Sequence, residues 1–137
     1  MELGFVGLGR MGGNMVRRLS KAGHHCHIFA NSAETRKGLA AETGATPWPD
    51  LPSLVVALAP PRVIWVMVPA GEVTGQVLDE LARLCSPGDV VVDGGNSHFK
   101  ESVARAQTLA ERGILMADCG TSGGVFGLTR GYSLMLG

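Results

Sequence analysis

Three stretches of this sequence have residue types and spacings that could do chemistry. Gly7-Leu8-Gly9-Arg10-Met11-Gly12 matches the pattern GxGxxG. After a strand and at the start of a helix, such glycines let the chain turn tightly at the first position. They let backbone approach a pyrophosphate at the second and pack helix on strand at the third. The helix N-terminus then offers free N–H groups and a partial positive charge to an anion. Gly7, Leu8, Gly9, Arg10, Met11 and Gly12 are therefore candidates to hold a dinucleotide cofactor. The second stretch is Asp93-Gly94-Gly95-Asn96-Ser97. Its glycines keep backbone close, and Asn96 offers both a donor and an acceptor. The third is Gly120-Thr121-Ser122-Gly123-Gly124, whose hydroxyls beside bare amides suit a carboxylate or another anion. Each follows an apolar run, so both are expected at the carboxyl edge of a sheet, in one shared substrate site.

Two other stretches narrow the chemistry. A second strand that ends in Asp or Glu selects NAD, because the carboxylate binds the ribose hydroxyls and repels a 2′-phosphate. Here the end reads Phe29-Ala30-Asn31-Ser32. Asn31 and Ser32, with Arg36 close behind, lean toward NADP over NAD. His24-His25-Cys26-His27 has metal-ligand types, but neighbours in a strand point to opposite faces, so no metal site is expected. Cys26, Cys85 and Cys119 are odd in number and widely spaced, with no CxxC pair; free thiols in a reducing compartment are expected.

The elements that must position these residues follow from periodicity. Leu3 to Val6 reads as a strand, and Met11, Met15, Val16 and Leu19 as one face of a helix that Gly23 stops. His27 to Ala30 reads as a strand. Ser32 caps a helix from Ala33 to Thr43 that ends at Gly44. Pro47, Pro49 and Pro52 mark a loop before a short helix, Leu54 to Leu58. Val63 to Val68 has no polar residue and belongs in the middle of a covered parallel sheet. Helices around Val73–Leu84 and Val103–Ala110 alternate with strands Asp89–Asp93, Ile114–Ala117 and Tyr132–Leu136. The fold expected for residues 1–137 is α/β, a Rossmann-like doubly wound, mostly parallel sheet with helices on both faces.

The 137 residues carry 12 Lys and Arg against 12 Asp and Glu, a net charge of +0. Such a chain has no basic field for nucleic acid or an anionic membrane. No apolar run spans a bilayer and the N-terminus lacks a basic leader, so a cytoplasmic location is expected. The 20 glycines far exceed the usual share of roughly 7%, in keeping with several tight turns and close approaches.

The glycine motif, Val66-Met67-Val68-Pro69-Ala70-Gly71, Asp93-Gly94-Gly95-Asn96-Ser97, and Thr121 to Leu128 with Arg130-Gly131-Tyr132 together resemble the β-hydroxyacid dehydrogenase superfamily. Within it the resemblance is to the NAD(P)-binding domain of 6-phosphogluconate dehydrogenases of the short bacterial type. It covers essentially the whole chain, and the last two segments are the more specific. The resemblance implies oxidative decarboxylation of 6-phosphogluconate to ribulose 5-phosphate, a step of the pentose phosphate pathway. It implies that Val68, Pro69 and Ala70 line the nicotinamide side. It also implies that Asn96 touches cofactor and substrate, and that Ser122, Gly123 and Gly124 bind the sugar acid. Ala30 departs from the Asp of NAD-using members. The family's catalytic Lys and Glu lie in a helical domain with no counterpart in residues 1–137, so no catalytic residue is expected here. The strand Tyr132–Leu136, with Tyr132, Leu134 and Leu136 on one uncovered face, suggests a homodimer joined near the C-terminus. Two other readings remain open at this point: a related 3-hydroxyacid dehydrogenase or imine reductase, and a non-catalytic nucleotide-binding module.

Overall fold

A computed structural model describes residues 1–95 and 97–137, the side chains of Phe99 and Val125 excepted. Its strands are β1 (Glu2–Val6), β2 (His25–Phe29), β3 (Thr46–Pro47), β4 (Val63–Val66), β5 (Val90–Asp93), β6 (Leu115–Ser122) and β7 (Ser133–Leu136). They form one sheet in the order β3-β2-β1-β4-β5-β6-β7. Every pairing is parallel except β6 with β7. The helices are α1 (Arg10–Lys21), α2 (Ala33–Thr43), α3 (Leu51–Ala57), α4 (Glu72–Leu84), α5 (Phe99–Ala110) and the single turn α6 (Gly127–Arg130). None is long and apolar enough to cross a membrane.

Strand alternation divides the core in two. Leu3 and Phe5 of β1 pack with Met15 and Val16 of α1, Ile28 of β2 and Leu39 of α2. Val6, Ile64 and Val66 face the other way, onto Leu54 of α3, Leu78 and Leu81 of α4 and Leu109 of α5. The sheet thus has helices on both faces, as the sequence pattern predicts. Each of these buried side chains contributes roughly 1.5–3 kcal/mol. A buried ion pair ties β4 and β5 at their start. Asp89, fully buried, accepts from the Arg62 amide at 2.7 Å, the Ser86 amide at 2.8 Å and Arg62 Nη1 at 3.0 Å.

Register places the functional edge. Phe29, Val6, Val66, Asp93 and Asp118 are successive neighbours across five strands. Four strands end on this row, so the loops after β1, β2, β4 and β5 leave the sheet side by side.

β6 departs from the sequence reading. It runs on to Ser122, where the pattern placed its end at Ala117. Gly120, Thr121 and Ser122 are therefore strand and not a turn: they pair antiparallel with Met135, Leu134 and Ser133. That partner supplies the ladder bonds that local propensity, with Asp118 and Gly120, argues against. Tyr132 lies outside β7 and turns inward, half-buried with Met15 and Leu3. Both faces of β7 are open, with Leu134 46%, Met135 79% and Leu136 69% exposed. A two-residue strand, β3, occupies what reads as plain loop. The short helix begins at Leu51 because Asp50 accepts from the Ser53 amide at 2.8 Å.

Candidate functional site

The β1, β2 and β4 loops at that edge form a cleft of about 240 Å3, lined by Gly7, Leu8, Gly9, Ala30, Asn31, Met67, Val68 and Pro69, with Val73 and Val77 of α4 behind. Six predicted cofactor residues thus meet in one place: Gly7, Leu8, Gly9, Asn31, Val68 and Pro69. Arg10, Met11 and Gly12 form the first turn of α1 beside it, and Ser32 and Ala70 adjoin it along the chain.

The glycine motif divides its work. Gly7 has φ +96°, which favours glycine, and its amide donates to the Phe29 carbonyl at 2.9 Å. A Cβ there would collide with the Met67 carbonyl. Gly12 packs against the Gly7 carbonyl, so a side chain would push α1 off the loop. Gly9 is different. Its backbone is extended, φ −65° and ψ −171°, and a Cβ would meet nothing within 4 Å. It caps α1 with no side chain bonded to the free amides, and no acid lies in the first turn. Open space before an uncapped helix N-terminus fits a dinucleotide's pyrophosphate.

At the tip of β2, Arg36 Nη1 donates to the Ala30 carbonyl at 2.6 Å and the Asn31 carbonyl at 3.3 Å. Its guanidinium stands 5.8 Å from the Phe29 ring centre. A cation is thus fixed where the strand end lacks a carboxylate. Ser32 has a structural duty: its hydroxyl accepts from the Thr35 amide at 3.2 Å and caps α2.

The β4 and β5 loops support each other. Thr74, fully buried on α4, donates to the Pro69 carbonyl at 2.7 Å. Asp93, also fully buried, accepts from the Gly95 amide at 3.0 Å and from the Ser97 hydroxyl at 2.6 Å. A Cβ at Gly95 would stand 2.6 Å from the Val68 carbonyl, so the two loops touch. Asn96 itself lies outside the described residues. Asp118 is Asp93's neighbour across the ladder. Burial pushes its carboxyl above the usual range, and the Asp93 charge adds to this.

Ser122, Gly123 and Gly124 are outside the cleft lining. They lead from β6 into a 3-10 turn (Gly124–Phe126) and α6, a segment that packs on α1. Ser122 pairs with Ser133.

Glu2, His25 and His27 come together, with potential ligand atoms all within 4.8 Å of one another. The expectation drawn from consecutive residues overlooked that alternate residues share a strand face, and that β1 adds Glu2 to it. The hydrogen bonds assign these atoms to the protein. Trp48 Nε1–H donates to His27 Nδ1 at 3.0 Å, which places the ring proton on Nε2. Nε2–H donates to Glu2 Oε1 at 3.1 Å, and His25 Nε2 bonds Thr46 Oγ1 at 2.8 Å. A donor-only indole is the wrong partner for a His that ligates through Nε2.

Known proteins point the same way. The chain is 47% identical to the NAD(+)-dependent, decarboxylating 6-phosphogluconate dehydrogenase of Haloferax volcanii, across all of this chain and 44% of the relative. It is 36% identical to the decarboxylating 6-phosphogluconate dehydrogenase of Treponema pallidum, over 99% of this chain and 29% of the relative. The chain thus spans less than half the length of these relatives. Its fold matches the 3-hydroxyisobutyrate dehydrogenase of Mycobacterium tuberculosis with a TM-score of 0.89, at 26% identity over 99% of this chain and 46% of that one. The fold of the Plasmodium falciparum 6-phosphogluconate dehydrogenase matches with a TM-score of 0.92, at 23% identity over 99% of this chain and 30% of that one. Residues 2–137 match the family described as the NAD binding domain of 6-phosphogluconate dehydrogenase, and the chain belongs to that family.

Proposed function

We propose that this chain is the cofactor- and substrate-binding part of an NAD(P)-dependent, decarboxylating 6-phosphogluconate dehydrogenase. The observation that carries the reading is the meeting of the β1, β2 and β4 loops around one cleft above a single row of the sheet, with the β5 loop packed against the β4 loop. Bound there, the cofactor supplies a hydride acceptor. Gly9 and the first amides of α1 hold its pyrophosphate; Val68, Pro69 and Ala70 line the nicotinamide side. Asn96, Ser122, Gly123 and Gly124 take the sugar acid. Oxidation of the C3 alcohol precedes loss of CO2, because a β-keto acid can delocalise the electrons that CO2 leaves behind and the alcohol cannot. The product is ribulose 5-phosphate.

No titratable side chain is among the described residues lining the cleft. In this reading the cofactor cleft binds and orients, and the acid and base are those that the family resemblance assigns to a helical domain without counterpart in residues 1–137. Arg36 beside Ala30 supports NADP binding at least as well as NAD. The open strand β7 supports self-association of two copies, and free thiols at Cys26, Cys85 and Cys119 suit the reducing cytoplasm. Calorimetric titration of residues 1–137 with NADP and NAD, beside a steady-state assay with 6-phosphogluconate, tests the reading. Cofactor binding without turnover is expected, since acid and base typically contribute about 10²–10⁴-fold each. Failure to bind either cofactor, or clear turnover by these residues alone, would overturn it.

A further inference from the structure

Two consecutive arginines on α1 reach in opposite directions. Arg17 Nε bonds Glu42 Oε2 of α2 at 2.7 Å, and its Nη1 bonds Asn14 Oδ1 at 3.0 Å. Arg18 Nη1 donates instead to the Leu128 carbonyl of α6 at 3.2 Å, joining residues 110 positions apart. Its guanidinium also lies against Gly131, where a Cβ would stand 3.2 Å from Nη2 and where φ is +94°. The remaining side-chain ties of this segment are local: Thr129 Oγ1 donates to the Phe126 carbonyl at 3.3 Å, and the Arg130 guanidinium stands 4.7 Å from the Phe126 ring centre. Among the described side-chain hydrogen bonds, Arg18 to Leu128 is the one that joins residues 123–131 to the rest of the protein. A four-residue helix has no stability of its own, so its place depends on such anchors. Tyr132 adds an apolar one, its ring against Gly123 and Gly127 and its side chain in the cluster with Met15 of α1.

We infer that Arg18 is a positioning residue for the sugar-acid segment, and that α1 links the two halves of the site. One end of this helix meets the glycine loop. A little over two turns later, Arg18 holds the segment that begins at Gly123. Loss of that bond leaves the cofactor loop intact and lets residues 124–131 open more often, which weakens the substrate and spares the cofactor. The ligand's identity in this inference rests on the function proposed above.

The test compares wild type with Arg18→Met, Arg18→Lys and Arg17→Met. Amide hydrogen exchange across residues 124–131 is expected to quicken about threefold in Arg18→Met, the effect of losing one solvent-exposed charged hydrogen bond. Arg18→Lys, which keeps a donor, restores most of the protection. Arg17→Met, which cuts only the tie to α2, leaves the segment unchanged. Titration with 6-phosphogluconate in the presence of NADP is expected to show about threefold weaker binding for Arg18→Met, with NADP affinity unchanged from wild type. Unchanged exchange in Arg18→Met would overturn the inference, as would equal quickening in Arg17→Met. If Arg18→Met fails to fold, Arg18→Gln decides: faster exchange across residues 124–131 than in wild type supports the anchor, and wild-type rates refute it. Wild type that binds NADP but no sugar acid would refute the proposed substrate, while the exchange experiment still judges the anchor.

Discussion

Gly7 and Gly9 stand two residues apart in one motif, and substitution by alanine should separate their roles. At Gly7 the methyl meets two obstacles. The backbone sits at φ +96°, where a side chain costs about 1–2 kcal/mol, and the Met67 carbonyl blocks the space, at about 1–3 kcal/mol more. A total of about 3 kcal/mol lowers the melting temperature of a chain this size by about 10 °C. At Gly9 neither obstacle exists: φ is −65° and nothing lies within 4 Å. Gly9→Ala should change stability by no more than about 0.5 kcal/mol, as for an ordinary surface substitution. Its methyl projects instead into the space reserved for the pyrophosphate, so affinity for either cofactor should fall at least tenfold, about 1.4 kcal/mol. Calorimetric melting and cofactor titration on the same samples read both effects. If Gly9→Ala binds cofactor like wild type, or melts as early as Gly7→Ala, the division of labour drawn from the geometry is wrong.

Ala30→Asp should weaken NADP by repelling its 2′-phosphate and strengthen NAD through the ribose hydroxyls. A wild-type preference for NAD of tenfold or more, in side-by-side titrations, would refute this reading of Ala30 and Arg36. Asp89→Asn leaves Arg62 uncompensated in a buried site and should cost about 3–5 kcal/mol, measured by denaturant unfolding at pH 7. Burial pushes the Asp89 carboxyl up, but the Arg62 and Ser86 amides and the Arg62 guanidinium outweigh it and hold it below the usual range. Its contribution is therefore present above the unfolded value and lost as pH falls through the folded one, so the gap to Asp89→Asn should shrink below about pH 4. Light scattering at micromolar concentration should show two copies associated through β7, and Leu134→Lys with Met135→Lys should restore a monomer. A wild-type monomer would remove that proposal.

The elements most legible in the sequence are those whose signals are local. α2 runs from Ala33 to Thr43 between Ser32 and Gly44, as its cap and stop residues predict, because each acts within one turn of its own position. β4 sits mid-sheet because its residues are apolar on both faces. The misreadings share a cause. The second half of β6 is strand only because β7 returns beside it, and Asp118 and Gly120 carry no local sign of that pairing. Tyr132 alternates correctly with Leu134 along the chain, but it belongs to α1's cluster because Gly123 and Gly127 leave room for its ring. In the site, the motif glycines and Val68-Pro69 were readable from spacing and resemblance. The Trp48–His27–Glu2 chain and the Arg18–Leu128 bond were not, since each joins residues more than 20 positions apart.

Within residues 1–137 the two edges of the sheet are unlike, and this bears on the proposed pairing of two copies. On one side β3 is only two residues long, ends in Pro47 and is followed by Trp48 and Pro49. Proline has no N–H to offer, so a further strand cannot extend the ladder there. On the other side β7 presents four exposed residues with an unpaired edge. A molecule with one receptive edge and one closed edge cannot polymerise head to tail. When β7 meets β7 of a second copy about a two-fold axis, each partner consumes the other's open edge. In the proposed pair the two sheets would run on as one, and pairing through these strand edges would stop at two copies.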